Sequence, residues 1–205
     1  MKAIALVVSA REHGNSYDFA QFVLDDYKNR GLETELINFF DHQITPCQRC
    51  EYECLQRLDP AKGVDGECPI HDDVRMIWEK TWRAEILLLF VPNYGGMLPA
   101  LWEAFSQRSQ AFFRQAPLEQ LKKSVVSAVL IVSPHQSSGA AWALSCMADE
   151  VKGLDRKVVG FEVVNPPQFQ AEYTFTPLIN NEEIRRRLSF MAEKTRQVAA
   201  TLQNQ

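Results

Sequence analysis

No stretch of this sequence approaches the ~20 consecutive apolar residues that a membrane-crossing helix needs, so no membrane insertion is expected. A basic surplus is missing too: 22 Lys and Arg stand against 26 Asp and Glu, a net charge of −4. Without a basic face, nucleic acid is not an expected partner. Internal repeats and Ser- or Gly-rich linkers are absent, and the 205 residues are read as a single domain, 1–205. A chain of that length buries roughly 70% of its unfolded surface. Nor is there a secreted disulfide framework, because four of the five cysteines crowd between 47 and 68. Such clustering suits metal ligands or free thiols and a cytoplasmic protein. Also missing are G-x-G-x-x-G and G-K-[ST], which argues against a Rossmann dinucleotide loop and a P-loop.

What is present begins at the N-terminus. Ala3 to Val8 is an apolar, β-branched run of the kind that forms a strand buried on both faces. With Lys2 before it and Ser9-Ala10 after, it superficially resembles a short signal peptide, but the coherent loop and helix beyond it favour a strand. The loop is Ser9-Ala10-Arg11-Glu12-His13-Gly14-Asn15-Ser16, and Phe19, Phe22, Val23 and Tyr27 then recur at helical spacing before Gly31. A helix start after such a loop aims backbone N–H groups at an anion. Ser9, Asn15 and Ser16 add side-chain donors, and Arg11 adds a positive charge. An exposed helix end contributes only about 0.3–1 kcal/mol, and each hydrogen bond to a charged group roughly 1.5–3 kcal/mol. Micromolar affinity needs about 8 kcal/mol. The loop therefore suits the phosphate of a ligand that also buries a flat ring, with FMN the obvious candidate. The alternative is an ordinary βα turn whose helix is capped by Asn15 or Ser16.

Further along, Glu33 to Phe39 reads as a second strand. Residues 41–72 are irregular, punctuated by Pro46, Pro60, Gly63, Gly66 and Pro69, with a short helix possible at 51–58. A segment of this length is usually functional. Asp72-Asp73 opens a helix with apolar face Val74, Ile77, Trp78 and Trp82. Glu85 to Val91 is a nearly continuous apolar strand, followed by Pro92-Asn93-Tyr94-Gly95-Gly96-Met97 and a helix over 99–115. A fourth strand (124–132), the loop Ser133 to Gly139, a helix (140–152), a fifth strand (157–164), a Pro- and aromatic-rich loop (166–177) and a charged amphipathic helix (181–203) complete the chain. This alternation predicts right-handed parallel βαβ units with helices on both faces of the sheet. Five strands suit the three-layer α/β order 2-1-3-4-5, whose ligand lies beyond the carboxyl ends of strands 1 and 3.

In combination these segments resemble the NADPH-dependent FMN reductase and iron–sulfur flavoprotein branch of the flavodoxin-like proteins. Ser9 to Ser16 is similar to that group's S-x-R-x-x-G-N-[TS] loop, Ile44 to Cys50 to its I-x-P-C-x-x-C, and Cys68 to Asp73 to its C-x-I-x-D-D. Val91 to Gly96 resembles its P-x-Y-x-G turn, and Ala104-Phe105 to Arg108 its A-F-x-x-R. The resemblance implies that Ser9, Arg11, Asn15 and Ser16, around Gly14, hold the FMN phosphate. Pro92, Asn93, Tyr94, Gly95 and Gly96 would follow the flavin ring, and the loop from Ser133 to Gly139 would reach its polar edge. Ser133-Pro134-His135 departs from the glycine-rich form of that loop. Gly95-Gly96 permits close backbone approach to a ring, or is a plain turn. The implied activity passes reducing equivalents from NAD(P)H to a quinone, a flavin or another small electron acceptor. The implied assembly is a homodimer or homotetramer.

The cysteines are spaced Cys47-x2-Cys50-x3-Cys54-x13-Cys68. Four thiolates suit an iron–sulfur cluster or a zinc ion, but iron–sulfur flavoproteins carry tighter second and third gaps. Reduced structural thiols are the competing reading. Two further functions stay open: an electron-transfer flavoprotein serving a protein partner, and a zinc- or thiol-bearing protein without flavin. Flavin hydride chemistry needs no protein acid or base, so no catalytic side chain is assigned. His13, His71 and His135 are read as solvated loop residues, and Cys146 as a buried small hydrophobe. Trp78, Trp82 and Trp102 are read as core or subunit contacts. Trp142 is assigned to a buried helix face in preference to a cover over the flavin, and Arg185-Arg186-Arg187 to a solvated face.

Overall fold

Three strands carry almost no polar side chain, and the sheet is built on them: β1 (Lys2–Val7), β3 (Ile86–Pro92) and β4 (Val125–Ile131). The computed structural model describes residues 1–56, 59, 67–132, 140–152, 154–165 and 176–204. β2 (Glu33–Asn38) and β5 (Lys157–Val164) form the half-exposed edges. The order is β2-β1-β3-β4-β5, parallel throughout, as the sequence predicts.

Period-two alternation sends the two faces of each strand into separate cores. Ala3, Ala5, Val7, Leu88 and Phe90 pack against α1 (Asn15–Asn29) and α7 (Glu182–Gln203) through Phe19, Val23, Tyr27, Leu188 and Ala192. Ile4, Leu6, Leu87, Leu89, Ala128 and Leu130 face the opposite layer. That layer holds α3 (Val74–Trp82), α4 (Ala100–Ser106) and α6 (Ala140–Lys152). Two short helices, α2 (Glu53–Gln56) and α5 (Leu118–Lys122), lie in the connections.

Two boundaries differ from expectation. The helix anticipated over 99–115 stops at Ser106 and continues as 3-10 turns at Gln107–Ala111 and Phe113–Gln115. The pitch tightens where Arg108 turns inward, only 2% exposed. The second strand ends at Asn38, whose side chain accepts the Phe40 N–H (3.3 Å) and starts a 3-10 turn.

Long-range polar ties fasten the layers. Tyr27 donates to the Ala192 carbonyl (2.7 Å), joining α1 to α7, and burial pushes its pKa up. Ser127, inside β4, pairs with Thr195 of α7 at 2.8 Å. Arg187, expected on a solvated face, instead bonds Glu162 and the Val163 carbonyl (3.0 Å) of β5. Arg156 is buried and donates to the carbonyls of Thr81 and Ala84 (2.7 Å), closing the C-terminal end of α3. Burial lowers its pKa to about 10, so it stays protonated at neutral pH. Arg156→Met, which strands both carbonyls, is expected to cost about 2–4 kcal/mol in urea unfolding. A loss below about 0.5 kcal/mol, the range of an ordinary surface change, would show that the contacts carry no weight.

Candidate functional site

The loop after β1 is fixed from three directions. Val8 continues the ladder, donating to the Phe90 carbonyl (3.0 Å). Ser9 is buried, and its Oγ accepts the Arg11 N–H at 3.1 Å, a turn that Ser favours. From β3, the Tyr94 hydroxyl lies 3.4 Å from Ser9 Oγ and accepts the Ala10 N–H at 3.2 Å. From β2, Asn38 Nδ2 donates to the Glu12 carbonyl (2.8 Å). Three strand ends thus converge on residues 9–12.

The helix start that follows carries no side-chain cap. α1 begins at Asn15 with Gly14, which has no side chain to cap it, as its N-cap residue. This overturns the capping role considered for Asn15 and Ser16. Asn15 Oδ1 instead accepts the Leu178 N–H (2.8 Å), tying the helix start to the segment before α7. The Arg11 guanidinium lies across Gly14, its Cζ 3.2 Å from where a Cβ would sit, so a larger residue would crowd it. Ser16 is buried. His13 is exposed and meets Tyr17 edge-on, as a loop histidine would. Burial raises the pKa of Asp18, one turn into α1, while His13 and Arg11 oppose the rise.

Across the gap, Gly95 and Gly96 have φ of +62° and +81°, and Tyr94 and Met97 exchange N–H···O bonds of 3.0 and 3.1 Å. Positive φ at both central positions is the type I′ signature, so a side chain at either would be strained. Among the described residues, nothing lies within 4 Å of a Cβ placed on Gly95. Next to the turn, Asn93 is 1% exposed, and neither its Nδ2 nor its Oδ1 has a hydrogen-bond partner among the described residues. A buried amide left unpaired is costly, and a polar edge offered at the carboxyl end of β3 would relieve that cost. Ser133, His135 and Gly139 lie outside the described residues.

Several large apolar side chains in the segments after β2, β3 and β4 are exposed. Phe40, Tyr52, Leu55, Tyr94, Met97 and Trp142 are exposed, and all follow strands at this end of the sheet. Trp142 corrects the sequence reading. The inward stripe of α6 is Ala143, Met147 and Val151, which turns the neighbouring Trp142 outward (60% exposed). Cys146 is half-buried against the same core, whereas Trp78 and Trp102 are buried as expected.

The cysteine segment hangs on Arg108. Its Nη1 reaches Asp72 Oδ2 (2.5 Å) and the Thr45 carbonyl (3.2 Å), and its Nη2 reaches the Ile70 carbonyl (3.1 Å) and Cys68 Sγ (3.4 Å). Asp72 also accepts the N–H groups of Thr45 (2.8 Å) and Val74 (3.2 Å), and Asp73 accepts that of Gln43 (2.9 Å). The acidic pair read as dipole charge at a helix start thus clamps the whole connection. Cys54 is buried; burial pushes its pKa up, and Cys68, Cys50 and Cys47 add to the rise. Among the described residues no three His, Cys, Asp or Glu are arranged to hold a metal.

A match to the NADPH-dependent FMN reductase family runs over residues 1–170. The chain belongs to that family. An iron–sulfur flavoprotein of Methanocaldococcus jannaschii is 31% identical over 134 residues, 64% of this chain and 62% of that relative. The chain thus matches under two thirds of that protein's length. An iron–sulfur flavoprotein of Archaeoglobus fulgidus is 24% identical over 82% of this chain and 75% of its own. Among solved structures, RosB with bound 8-demethyl-8-formylriboflavin 5′-phosphate superposes with TM-score 0.73 at 17% identity, over 100% of this chain and 81% of RosB. A short-chain flavodoxin superposes with TM-score 0.57 at 14% identity, over 97% and 99%. These likenesses establish the flavodoxin-like fold. No helix among the described residues of this FMN reductase family member is long and apolar enough to cross a membrane.

The buried Asp72–Arg108 pair gives a sharp expectation. Burial raises the Asp72 pKa, but Arg108 and the two N–H donors outweigh it and hold the carboxyl below 3.8. Its stabilisation is therefore complete above that pH and fades as pH falls through the lowered value. Asp72→Asn should cost about 3–5 kcal/mol at pH 7 by stranding a buried guanidinium, and should lose that part of the acid dependence. Equal unfolding midpoints at pH 7 would contradict the clamp.

Proposed function

We propose that the protein is an FMN-binding oxidoreductase that takes reducing equivalents from NAD(P)H and delivers them to a quinone, a flavin or another small acceptor. The observation that carries this reading is the α1 start with Gly14 as its N-cap residue and Arg11 across it, preceded by the Ser9–Ala10 turn that Tyr94 joins to Gly95-Gly96. The α1 N–H groups, with Arg11 above them, fit a phosphate dianion. Asn15 keeps its Nδ2 for the same ligand while its Oδ1 holds Leu178. Gly95 and the unpaired Asn93 amide suit the flat ring and its polar edge. Ser133 and Gly139 belong to the proposed ring-edge loop by resemblance. Bound FMN supplies the redox chemistry; the chain binds it, orients it and screens it from water. The exposed Tyr94, Met97 and Trp142 side chains suit either a flat acceptor or a second subunit of a homodimer or homotetramer.

A second reading is an electron-transfer flavoprotein whose Cys47, Cys50, Cys54 and Cys68 hold an iron–sulfur cluster. It is favoured by the four cysteines between 47 and 68 and by the names of the curated relatives. Steady-state NADPH oxidation coupled to a soluble quinone supports the first reading. A brown protein with absorbance beyond the flavin bands, inert to NAD(P)H, supports the second.

The phosphate assignment is tested by comparing FMN with riboflavin. Arg11→Ala should weaken FMN binding about 10–100-fold, the loss of one charged hydrogen bond, and leave riboflavin binding unchanged. Equal losses for both ligands would mean that Arg11 does not meet the phosphate.

A further inference from the structure

The two loops assigned to FMN meet through one hydroxyl. Tyr94 Oη accepts the Ala10 N–H at 3.2 Å and lies 3.4 Å from Ser9 Oγ, which itself accepts the Arg11 N–H at 3.1 Å. On one side this chain of bonds leads through Arg11, whose guanidinium lies across Gly14, to the start of α1. On the other it leads through the Tyr94 backbone, whose N–H and C=O both bond Met97, to Gly95 and Gly96 at positive φ. While the hydroxyl is bonded, residues 9–10 and the turn at 94–97 cannot shift independently.

The strength of that link decides what it can do. Tyr94 is 40% exposed, so water competes for its hydroxyl. A neutral hydrogen bond in such a place changes an equilibrium by a few-fold to about tenfold. That is too little to freeze both loops unaided, and enough to pass order from one to the other. An anion that orders residues 11–16 leaves less freedom for the Tyr94 bond to remove. The turn is then in place before a flavin ring arrives, and such preorganisation raises affinity. The same linkage acts equally in the reverse direction. A tyrosine needed only for its ring would require no protein partner for its hydroxyl, whereas this hydroxyl has two.

We propose that the Tyr94 hydroxyl couples the anion loop to the ring turn, so that an anion at the start of α1 raises the affinity of the turn for a flavin ring. Tyr94 is thus a positioning residue that sharpens selection of FMN over riboflavin beyond what the phosphate contacts give. The proposal rests on the FMN reading above, and its test separates the two.

The test is titration of riboflavin into the full chain freed of flavin, followed by quenching of flavin fluorescence, in chloride buffer with and without saturating inorganic phosphate. FMN is titrated in parallel. Phosphate is expected to tighten riboflavin binding about three- to tenfold. Tyr94→Phe keeps the ring and removes the hydroxyl. It should bind riboflavin in plain chloride buffer as well as the unaltered protein does and gain nothing from phosphate. Its FMN binding should weaken by about three- to tenfold, the coupling that is lost. Arg11→Ala, which leaves the Tyr94 hydroxyl in place, should also lose the phosphate effect. A purely structural role for the hydroxyl would weaken riboflavin equally in both buffers, and that result overturns the proposal. A phosphate effect retained in full by Tyr94→Phe overturns it as well. Riboflavin bound no better with phosphate than without, while FMN binds, overturns the coupling and leaves the FMN reading standing. Failure of FMN itself to bind would overturn both.

Discussion

Val7 pairs with Asn38 on one side and Phe90 on the other, and that register decides where every loop of the site begins. Three parallel strands end at one height, so the segments that follow them meet without long reach. Tyr94 closes the gap between the second and third of these ends by binding the Ser9–Ala10 turn. Asn38 closes the gap to the first by holding Glu12. A slip of one residue in β1 would exchange the Ala3-Ala5-Val7 face for the Ile4-Leu6-Val8 face. It would misplace the helix start and bury the wrong side chains at once.

A second constraint acts on the cysteine segment. The described residues of 41–72 hold one four-residue helix, and contacts from one buried cation fasten Thr45, Cys68, Ile70 and Asp72. Arg108 reaches Thr45, Cys68, Ile70 and Asp72 from the 3-10 turn beyond α4. A buried ion pair is seldom the cheapest way to gain stability. Here it selects one path for a long connection, which apolar contacts alone would leave free to shift. It also holds Cys68, whose Sγ lies 3.4 Å from Arg108 Nη2. Whether Cys68 serves as a wall or as a ligand, the same clamp places it.

Much of this was legible in the sequence because β1, β3 and β4 are apolar on both faces, a pattern that parallel central strands require and few other elements show. The loop from Ser9 to Ser16 was legible because its residue types are useful for little besides a turn or an anion. Arg108 could be placed in a motif but not given a role, since its partner Asp72 lies 36 residues away and only the folded chain joins them. Arg156 gave no signal, because an isolated arginine before a strand looks the same whether solvated or buried. Trp142 was misassigned by residue type, although the stripe of Ala143, Met147 and Val151 already marked which side of α6 faces inward. The burial of Asn93 likewise depends on packing that period-two reading does not resolve beyond a strand end.

The account rests most directly on flavin uptake at the α1 start and the Tyr94 turn. The decisive measurement is an absorbance spectrum of anaerobically purified protein after soaking with FMN and removal of free ligand, with iron and zinc determined on the same sample. Flavin bands at one FMN per chain are predicted, and stoichiometric iron beside them would assign the cysteines to a cluster. A colourless protein that retains no flavin after soaking would contradict the account.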